Sequence, residues 1–314
     1  MAIPHPVQYQ GSKRNLAPDI LKFLPKTVER LVEPFAGTAA ISVAASWNRI
    51  SQNFWINDLN KPLVELLELI VEQPSTIAGA YEEIWNQQHN DSIEHYYQAR
   101  YKFNQTNDPK ILLYLLARCV KGAVRYNSEK LFNQSPDKRR KGTHPDKMRK
   151  NIEGVSKLLK GKCIFTCLDY REVLAEVKAS DFVYIDPPYQ GVCGERDSRY
   201  LTGINFDEFV LALENLNLRQ IPFAVSYDGR RGNKTFGNEL PSHLNLKKFE
   251  IVVGRSSQAT LLGRDEVTVE SLYLSPSLFY DYSALSESYV NQAPKQLNLF
   301  ENYGQPTAAI LQTG

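Results

Sequence analysis

The tetrapeptide Asp186-Pro187-Pro188-Tyr189 closes an apolar run, Phe182-Val183-Tyr184-Ile185, with an acid, two prolines and a ring. The run is β-favouring and uninterrupted, as in a strand covered on both faces. Neither proline has an N–H to give to a ladder, so strand pairing stops there. Asp186 and Tyr189 are left at the carboxyl end of a strand, where open α/β sheets bind their ligands. Taken alone, the tetrapeptide also fits a plain proline-punctuated loop, with Asp186 as a turn residue and Tyr189 as packing.

Other acids fall at equivalent places. Glu33 ends the run Arg30-Leu31-Val32 and is followed by Pro34-Phe35 and the small-residue turn Ala36-Gly37-Thr38-Ala39. Gly37 and its neighbours let the backbone approach a ligand closely. The stretch lacks the spacing G-x-G-x-x-G and a phosphate-binding lysine, which argues against pyrophosphate or triphosphate. Asp58 follows Phe54-Trp55-Ile56, where such sheets hold ribose hydroxyls; an Asx turn is the alternative. Asn60, ahead of Lys61-Pro62, suits the cap of the next helix. Asp169 follows a short strand from Cys163 to Cys167, and the turn Tyr9-Gln10-Gly11-Ser12-Lys13-Arg14 leads into a helix-like pattern.

These acids need a sheet to align them. Seven strands are expected: at Arg30–Glu33, Phe54–Ile56, Cys163–Cys167, Phe182–Ile185, Pro222–Tyr227, Lys248–Val253 and Val267–Leu274. The last two are joined by a loop alone, so they pair antiparallel and return onto an otherwise parallel sheet. Helices alternate with the strands, including one capped by Asn205 and Glu208. Between the helix of Leu63, Leu66, Leu67 and Ile70 and the strand at Cys163 lie roughly 90 residues without a strand signal, far more than a crossover needs. Residues 73–150 are therefore expected to form an inserted, mainly helical domain. The catalytic domain is assigned to 1–72 and 151–280, and 281–314 to an irregular tail.

Charge singles out the end of the insertion. The whole chain of 314 residues carries a net +2, with 42% hydrophobic and 23% charged residues, the composition of a globular protein. Residues 118–150 hold eleven basic residues against three acidic ones, so the remainder is net acidic. That polarity is the footprint of a polyanion site; a solvated charged surface is the alternative. Tyr126, Asn127, Phe132, Asn133 and Gln134 lie among the charges and offer base-edge or stacking contacts. No run is long enough for a membrane span, no signal peptide is apparent, and the four cysteines form neither a metal-ligand doublet nor a disulfide framework. A cytoplasmic protein with reduced thiols and no metal is expected.

A dehydrogenase lacks its glycine fingerprint here, and a phosphoryl-transfer enzyme its P-loop. A sheet rim with one carboxylate for each polar edge of a nucleoside suits S-adenosylmethionine. At this point the motifs Tyr9-Gln10-Gly11-Ser12-Lys13, Phe35-Ala36-Gly37, Asp58 and Asp186-Pro187-Pro188-Tyr189, with Gly122-Ala123-Val124-Arg125-Tyr126-Asn127 and Phe132-Asn133 in the insertion, resemble the Dam-like (class alpha) adenine-specific DNA methyltransferases from about Tyr9 to Leu274. The resemblance implies an α/β, seven-stranded Rossmann-like S-adenosylmethionine-dependent methyltransferase sheet with an inserted DNA-recognition domain. Tyr9, Lys13, Glu33, Phe35, Gly37, Asp58, Asp169 and Asp186 would bind S-adenosylmethionine and its product S-adenosylhomocysteine. Asp186, Pro187 and Tyr189 would be catalytic on an adenine flipped from duplex DNA. Arg118, Lys121, Arg125, Asn127, Asn133, Arg139 and Arg140 would contact the DNA. Ser12 and Thr38-Ala39 stand where glycine is more usual.

A prokaryotic or phage-type enzyme is implied, monomeric and nucleoid-associated, with a restriction endonuclease as a cognate partner. The competing readings are an amino-methyltransferase for RNA or cytosine, and a DNA-binding protein whose methylation site has decayed.

Overall fold

The apolar runs pair side by side in one sheet. In the computed structural model, which describes residues 2–88, 91–188, 204–231, 234–236, 239–255 and 267–280, the strands are β1 (Arg30–Glu33), β2 (Phe54–Asn57), β3 (Cys163–Thr166), β4 (Asp181–Ile185), β5 (Phe223–Arg231), β6 (Lys234–Phe236), β7 (Lys247–Arg255) and β8 (Val267–Leu274). Tyr189, the loop from Gln190 to Gly203 and the tail 281–314 lie outside the described residues.

Seven strands run in the order β3-β2-β1-β4-β5-β8-β7, and the short β6, which the sequence pattern does not announce, pairs with β5. The first five are parallel. β8 is antiparallel to both neighbours and lies between β5 and β7. Strand order reverses between β1 and β4, the switch point at which doubly wound sheets open a crevice.

An ion pair fixes that junction. Arg30 and Asp181 are register partners at the amino ends of β1 and β4. The guanidinium donates from Nε to Oδ1 at 2.9 Å and from Nη2 to Oδ2 at 2.6 Å, and Asp181 is buried. A bidentate pair fixes orientation as well as distance. The carboxyl ends of β1 and β4 are thereby held side by side.

Helices cover both faces. Val32, Val183, Ile185 and Val225 share one core with Val173 and Leu174 of α8 (Tyr170–Glu176) and with Phe209, Leu213 and Leu216 of α9 (Phe206–Leu218). Alternation along β1 turns Leu31 and Glu33 to the opposite face, which carries α2 (Ala40–Trp47), α3 (Lys61–Glu72) and α7 (Pro145–Leu159). A short α1 (Ala17–Ile20) precedes β1.

The long strandless segment is helical. It holds α4 (Pro74–Asn86), α5 (Ser92–Thr106) and α6 (Pro109–Arg118), then an irregular stretch that leads into α7. Every residue of α6 from Ile111 to Arg118 is buried, as expected of a helix apolar all round; α3, α4 and α5 surround it. The described residues up to Leu278 belong to one compact unit. Among the described residues no helix is long and apolar enough to cross a membrane.

Removing either partner of the Arg30–Asp181 pair tests its role. Asp181→Ala leaves a guanidinium that can turn to solvent, whereas Arg30→Ala leaves a carboxylate buried. Breaking a buried pair costs about 3–5 kcal/mol, so Asp181→Ala is expected near or below the bottom of that range and Arg30→Ala above it. Urea unfolding midpoints of the two variants check this order.

Candidate active site

Three turns converge at the carboxyl ends of β1, β2 and β3, and one buried side chain joins them. Asn57, the last residue of β2, is fully buried. Its amide donates to the Pro34 carbonyl at 2.9 Å and the Leu168 carbonyl at 3.0 Å. Its oxygen accepts from the Thr166 hydroxyl at 2.7 Å and the Leu168 N–H at 2.9 Å. Two donors and two acceptors exhaust an asparagine side chain. Sequence reasoning passed over Asn57; an amide ending a wholly buried strand is the one signal available.

Asp58 follows and faces the turn after β1. Its Oδ2 accepts from the Gly37 N–H and its Oδ1 from the Asn60 N–H, both at 2.9 Å. Burial raises its pKa, against the lowering effect of those two N–H groups. Gly37 has φ +51°, a left-handed conformation that a side chain would strain. Asn60 stands at the start of α3, but its side chain does not cap the helix: the oxygen accepts from the Tyr126 hydroxyl at 3.3 Å.

The N-terminal turn closes over this rim. The Ser12 and Thr38 hydroxyls lie 2.9 Å apart in a hydrogen bond, so the two non-glycine residues of the paired turns bind each other. Lys13 is 5% exposed. Its ammonium is 2.8 Å from Asp186 Oδ1 and 3.4 Å from Glu270 Oε2. The sequence places Lys13 with a cofactor; the structure places its charge on Asp186 and on a β8 glutamate that sequence reasoning missed. Glu270 interrupts a largely apolar strand, which is a visible signal in retrospect.

Glu33 is buried and accepts from the Ser42 N–H at 2.7 Å, near the start of α2. Burial pushes its carboxyl up to about 7, with a further rise from the neighbouring Asp186 charge. Asp169 caps α8 in a reciprocal box with Glu172. It also pairs with Arg171 at 2.8 Å, which holds its carboxyl below the usual range. Its carboxylate is thus already committed locally, though it borders the same cleft.

That cleft has a volume of about 720 Å³, within the range of about 300–1,000 Å³ usual for small-molecule sites. Tyr9, Lys13, Glu33, Phe35 and Gly37 line it, as do Asp58, Asp169, Asp186 and Pro187. Tyr189 lies outside the described residues.

The basic segment divides into exposed and structural residues. Tyr126 bridges Phe132 in a small antiparallel hairpin, which Asn104 of α5 grips through both backbone groups of Phe132. Lys121, Arg125, Asn133, Arg139 and Arg140 are exposed. Asn127 builds the hairpin turn, its oxygen accepting from the Glu129 and Leu131 N–H groups. Arg118 contradicts the expectation of a DNA contact. It is 1% exposed and donates to the carbonyls of Asp137, Arg140 and Ser92. Its charge holds the 137–140 loop from within.

The model of the D12 class N6 adenine-specific DNA methyltransferases matches residues 9–254, most of the chain and every element of this cleft up to β7. The chain belongs to that family. It is an adenine-specific DNA methyltransferase. Among similar proteins, the DNA adenine methylase of Salmonella typhi is 27% identical over 232 residues, covering 70% of this chain and 79% of that protein. The DNA adenine methylase of Escherichia coli (strain K12) is 28% identical over 187 residues, 58% of this chain and 64% of its own length. The Type II methyltransferase M1.LlaDCHI of Lactococcus lactis subsp. cremoris is 27% identical over 191 residues, again 58% and 64%.

The raised Glu33 pKa makes stability depend on pH. A folded value of about 7 against an ordinary 4.5 means that Glu33 contributes fully below 4.5, and that this contribution is lost as pH rises through 7. The urea midpoint of the ligand-free protein is expected to fall between pH 5 and 8 relative to that of Glu33→Gln, which lacks this titration. Equal slopes in the two proteins would contradict the assignment.

Proposed function

We propose that the chain transfers a methyl group from S-adenosylmethionine to the exocyclic amine of an adenine flipped out of duplex DNA. The observation that carries this reading is the grouping of Asp58, the left-handed Gly37 turn, Glu33 and Asp186 along one cleft at the switch point. The donor set fits this cofactor. Each Asp58 oxygen accepts one backbone N–H, and a carboxylate oxygen has room for a second bond, here from a ribose hydroxyl. Glu33 offers a carboxylate to an ammonium group, and Phe35, 5.1 Å from the Tyr170 ring, offers an aromatic wall. S-adenosylmethionine supplies an activated methyl group on a sulfonium.

The chain's own residues prepare the acceptor. The lone pair of an adenine amine is delocalised into the ring, which makes it a weak nucleophile. The Asp186 carboxylate and the Pro187 carbonyl accept its two N–H bonds and favour a more tetrahedral nitrogen. The carboxylate then stabilises the positive charge that develops there. Because the amine is inside the duplex, the base must leave the stack, and Tyr189 is assigned to face it. Residues 73–150 act as the recognition domain, with Arg125, Asn133 and the exposed basic residues around them meeting phosphates and base edges. One relative is named a Type II methyltransferase, which supports a role as the modification half of a restriction–modification pair. The bacterial sources of these relatives support a bacterial, cytoplasmic setting.

Labelled S-adenosylmethionine with double-stranded DNA, RNA and adenine-free DNA tests the reading. Label is expected in adenine-containing duplex alone; label in adenine-free DNA, or in none of the three, overturns it. Asp186→Ala is expected to abolish transfer while DNA binding persists.

Two arginines separate recognition from scaffold. Arg125→Ala is expected to weaken DNA binding and reduce the slope of log K against log salt by about 1. Arg118→Ala is expected instead to destabilise the fold by about 3 kcal/mol or more, through lost packing and unpaired carbonyls. Salt-dependent binding isotherms and urea unfolding of both variants distinguish the roles.

A further inference from the structure

The ammonium of Lys13 touches two carboxylates on different strands, and the second has no role in the reaction as described so far. Asp186 follows β4 and Glu270 lies on β8, with β5 between them. The two strands are therefore separated by two interstrand spacings, roughly 10 Å, and the buried Lys13 spans the gap between their side chains. We propose that Glu270 is a positioning residue for methyl transfer: by sharing the Lys13 ammonium it keeps the Asp186 carboxylate a strong acceptor for the target amine. The inference rests on the transfer proposed above.

The charge arithmetic motivates it. A lysine ammonium directly against Asp186 orders the carboxylate, but an unshared ammonium also offsets much of its charge. A carboxylate so offset gives less stabilisation to the cation that forms on the amine. Glu270 divides the Lys13 ammonium between two carboxylates, so more of the Asp186 negative charge is left to face the reacting nitrogen. An ammonium has three N–H donors, enough to serve both acids at once.

The local backbone is built to bring Glu270 there. β5 and β8 lose register between Ser226 and Gly229, and Gly229 is the register partner of Glu270. Bulges of this kind re-aim side chains beside functional sites. A Cβ on Gly229 would fall 2.7 Å from the Val269 carbonyl and 3.6 Å from Glu270 Cα, so β8 approaches β5 more closely than a side chain there allows. On the strand itself Glu270 follows the buried Val269 and precedes the buried Ser271 and Leu272, an expensive place for a carboxylate without a partner.

The test uses the full chain, labelled S-adenosylmethionine and an adenine-containing duplex. Single-turnover rates at saturating donor and DNA are measured from pH 5.5 to 9 for the wild type, Glu270→Gln and Glu270→Asp. Glu270→Gln is expected to lower the plateau rate about tenfold or more, with KM for donor and DNA changed less than about twofold. Its acid limb moves to lower pH, because the undivided Lys13 charge then holds Asp186 ionised further into acid. Glu33, which also faces Asp186 and titrates at about 7, is common to both proteins. Glu270→Asp, which keeps the charge on a shorter arm, is expected to fall between the two in both rate and limb.

A merely structural glutamate would lower rate and stability without moving the limb in that direction. An unshifted limb in Glu270→Gln, or a plateau within about twofold of the wild type, overturns the inference while leaving the transfer reading intact. Should Glu270→Gln fail to fold, the same limb comparison in Glu270→Asp decides. A wild type that transfers no label to any duplex sinks the transfer reading and the inference with it.

Discussion

β1 and β4 begin the two halves of the sheet, and no cleft forms unless they lie side by side in one register. A slip of a single residue would turn every side chain on one of them to the opposite face. The Arg30–Asp181 pair blocks that slip at the amino ends. At the carboxyl ends the same register brings Glu33 and Asp186 near enough for the Asp186 charge to raise the Glu33 pKa. The fold thus concentrates negative charge at its switch point. Lys13 supplies counter-charge, and burying its ammonium there ties the N-terminal turn to β4 and β8.

Polar side chains, not apolar ones, set the shape of the rim. Loop backbones at the end of a parallel sheet carry N–H and C=O groups that the ladder no longer satisfies. Asn57 satisfies three such groups from the loops after β1 and β3, and the Thr166 hydroxyl besides, and Asp58 joins the β1 turn to the start of α3. The Ser12–Thr38 pair does the same between the N-terminal turn and the Gly37 turn. A second glycine at either place would relax the backbone but remove that link.

Much of this was legible in the sequence, because strand ends are marked by chemistry that strands reject. Proline pairs, isolated acids and small-residue turns mark the ends of the seven strands and point to residues that the structure gathers along one cleft. What escaped depends on partners distant in sequence. Arg118 reads as one more basic residue of a charged segment, yet it ends a helix buried on every side and satisfies carbonyls of a loop about twenty residues on. Asn60 reads as a cap and meets Tyr126, far along the chain. Side-chain amides and guanidinium groups have several equivalent uses, and composition cannot choose between them. Glu270 was missed for the opposite reason: a single acid in a strand is ordinarily an outward-facing residue, and only the strand order places it opposite Lys13.

The basic segment after α6 meets the cleft through main chain and short polar contacts. The Gln10 N–H donates to the Gly122 carbonyl at 3.0 Å, and a Cβ on Gly122 would fall 2.9 Å from the Gln8 carbonyl. Three residues further along, Arg125 faces solvent and Tyr126 reaches Asn60, whose N–H holds Asp58. If this hairpin meets DNA as proposed, a flexible linkage to the cleft would let a bound base wander relative to the methyl donor. Displacements of about 1 Å at a reacting centre can cost a hundredfold in rate. Direct backbone contact at Gly122 and a short hydrogen-bonded relay at Tyr126 remove that freedom, which is why the segment packs as part of the sheet domain's own unit instead of standing off on a linker.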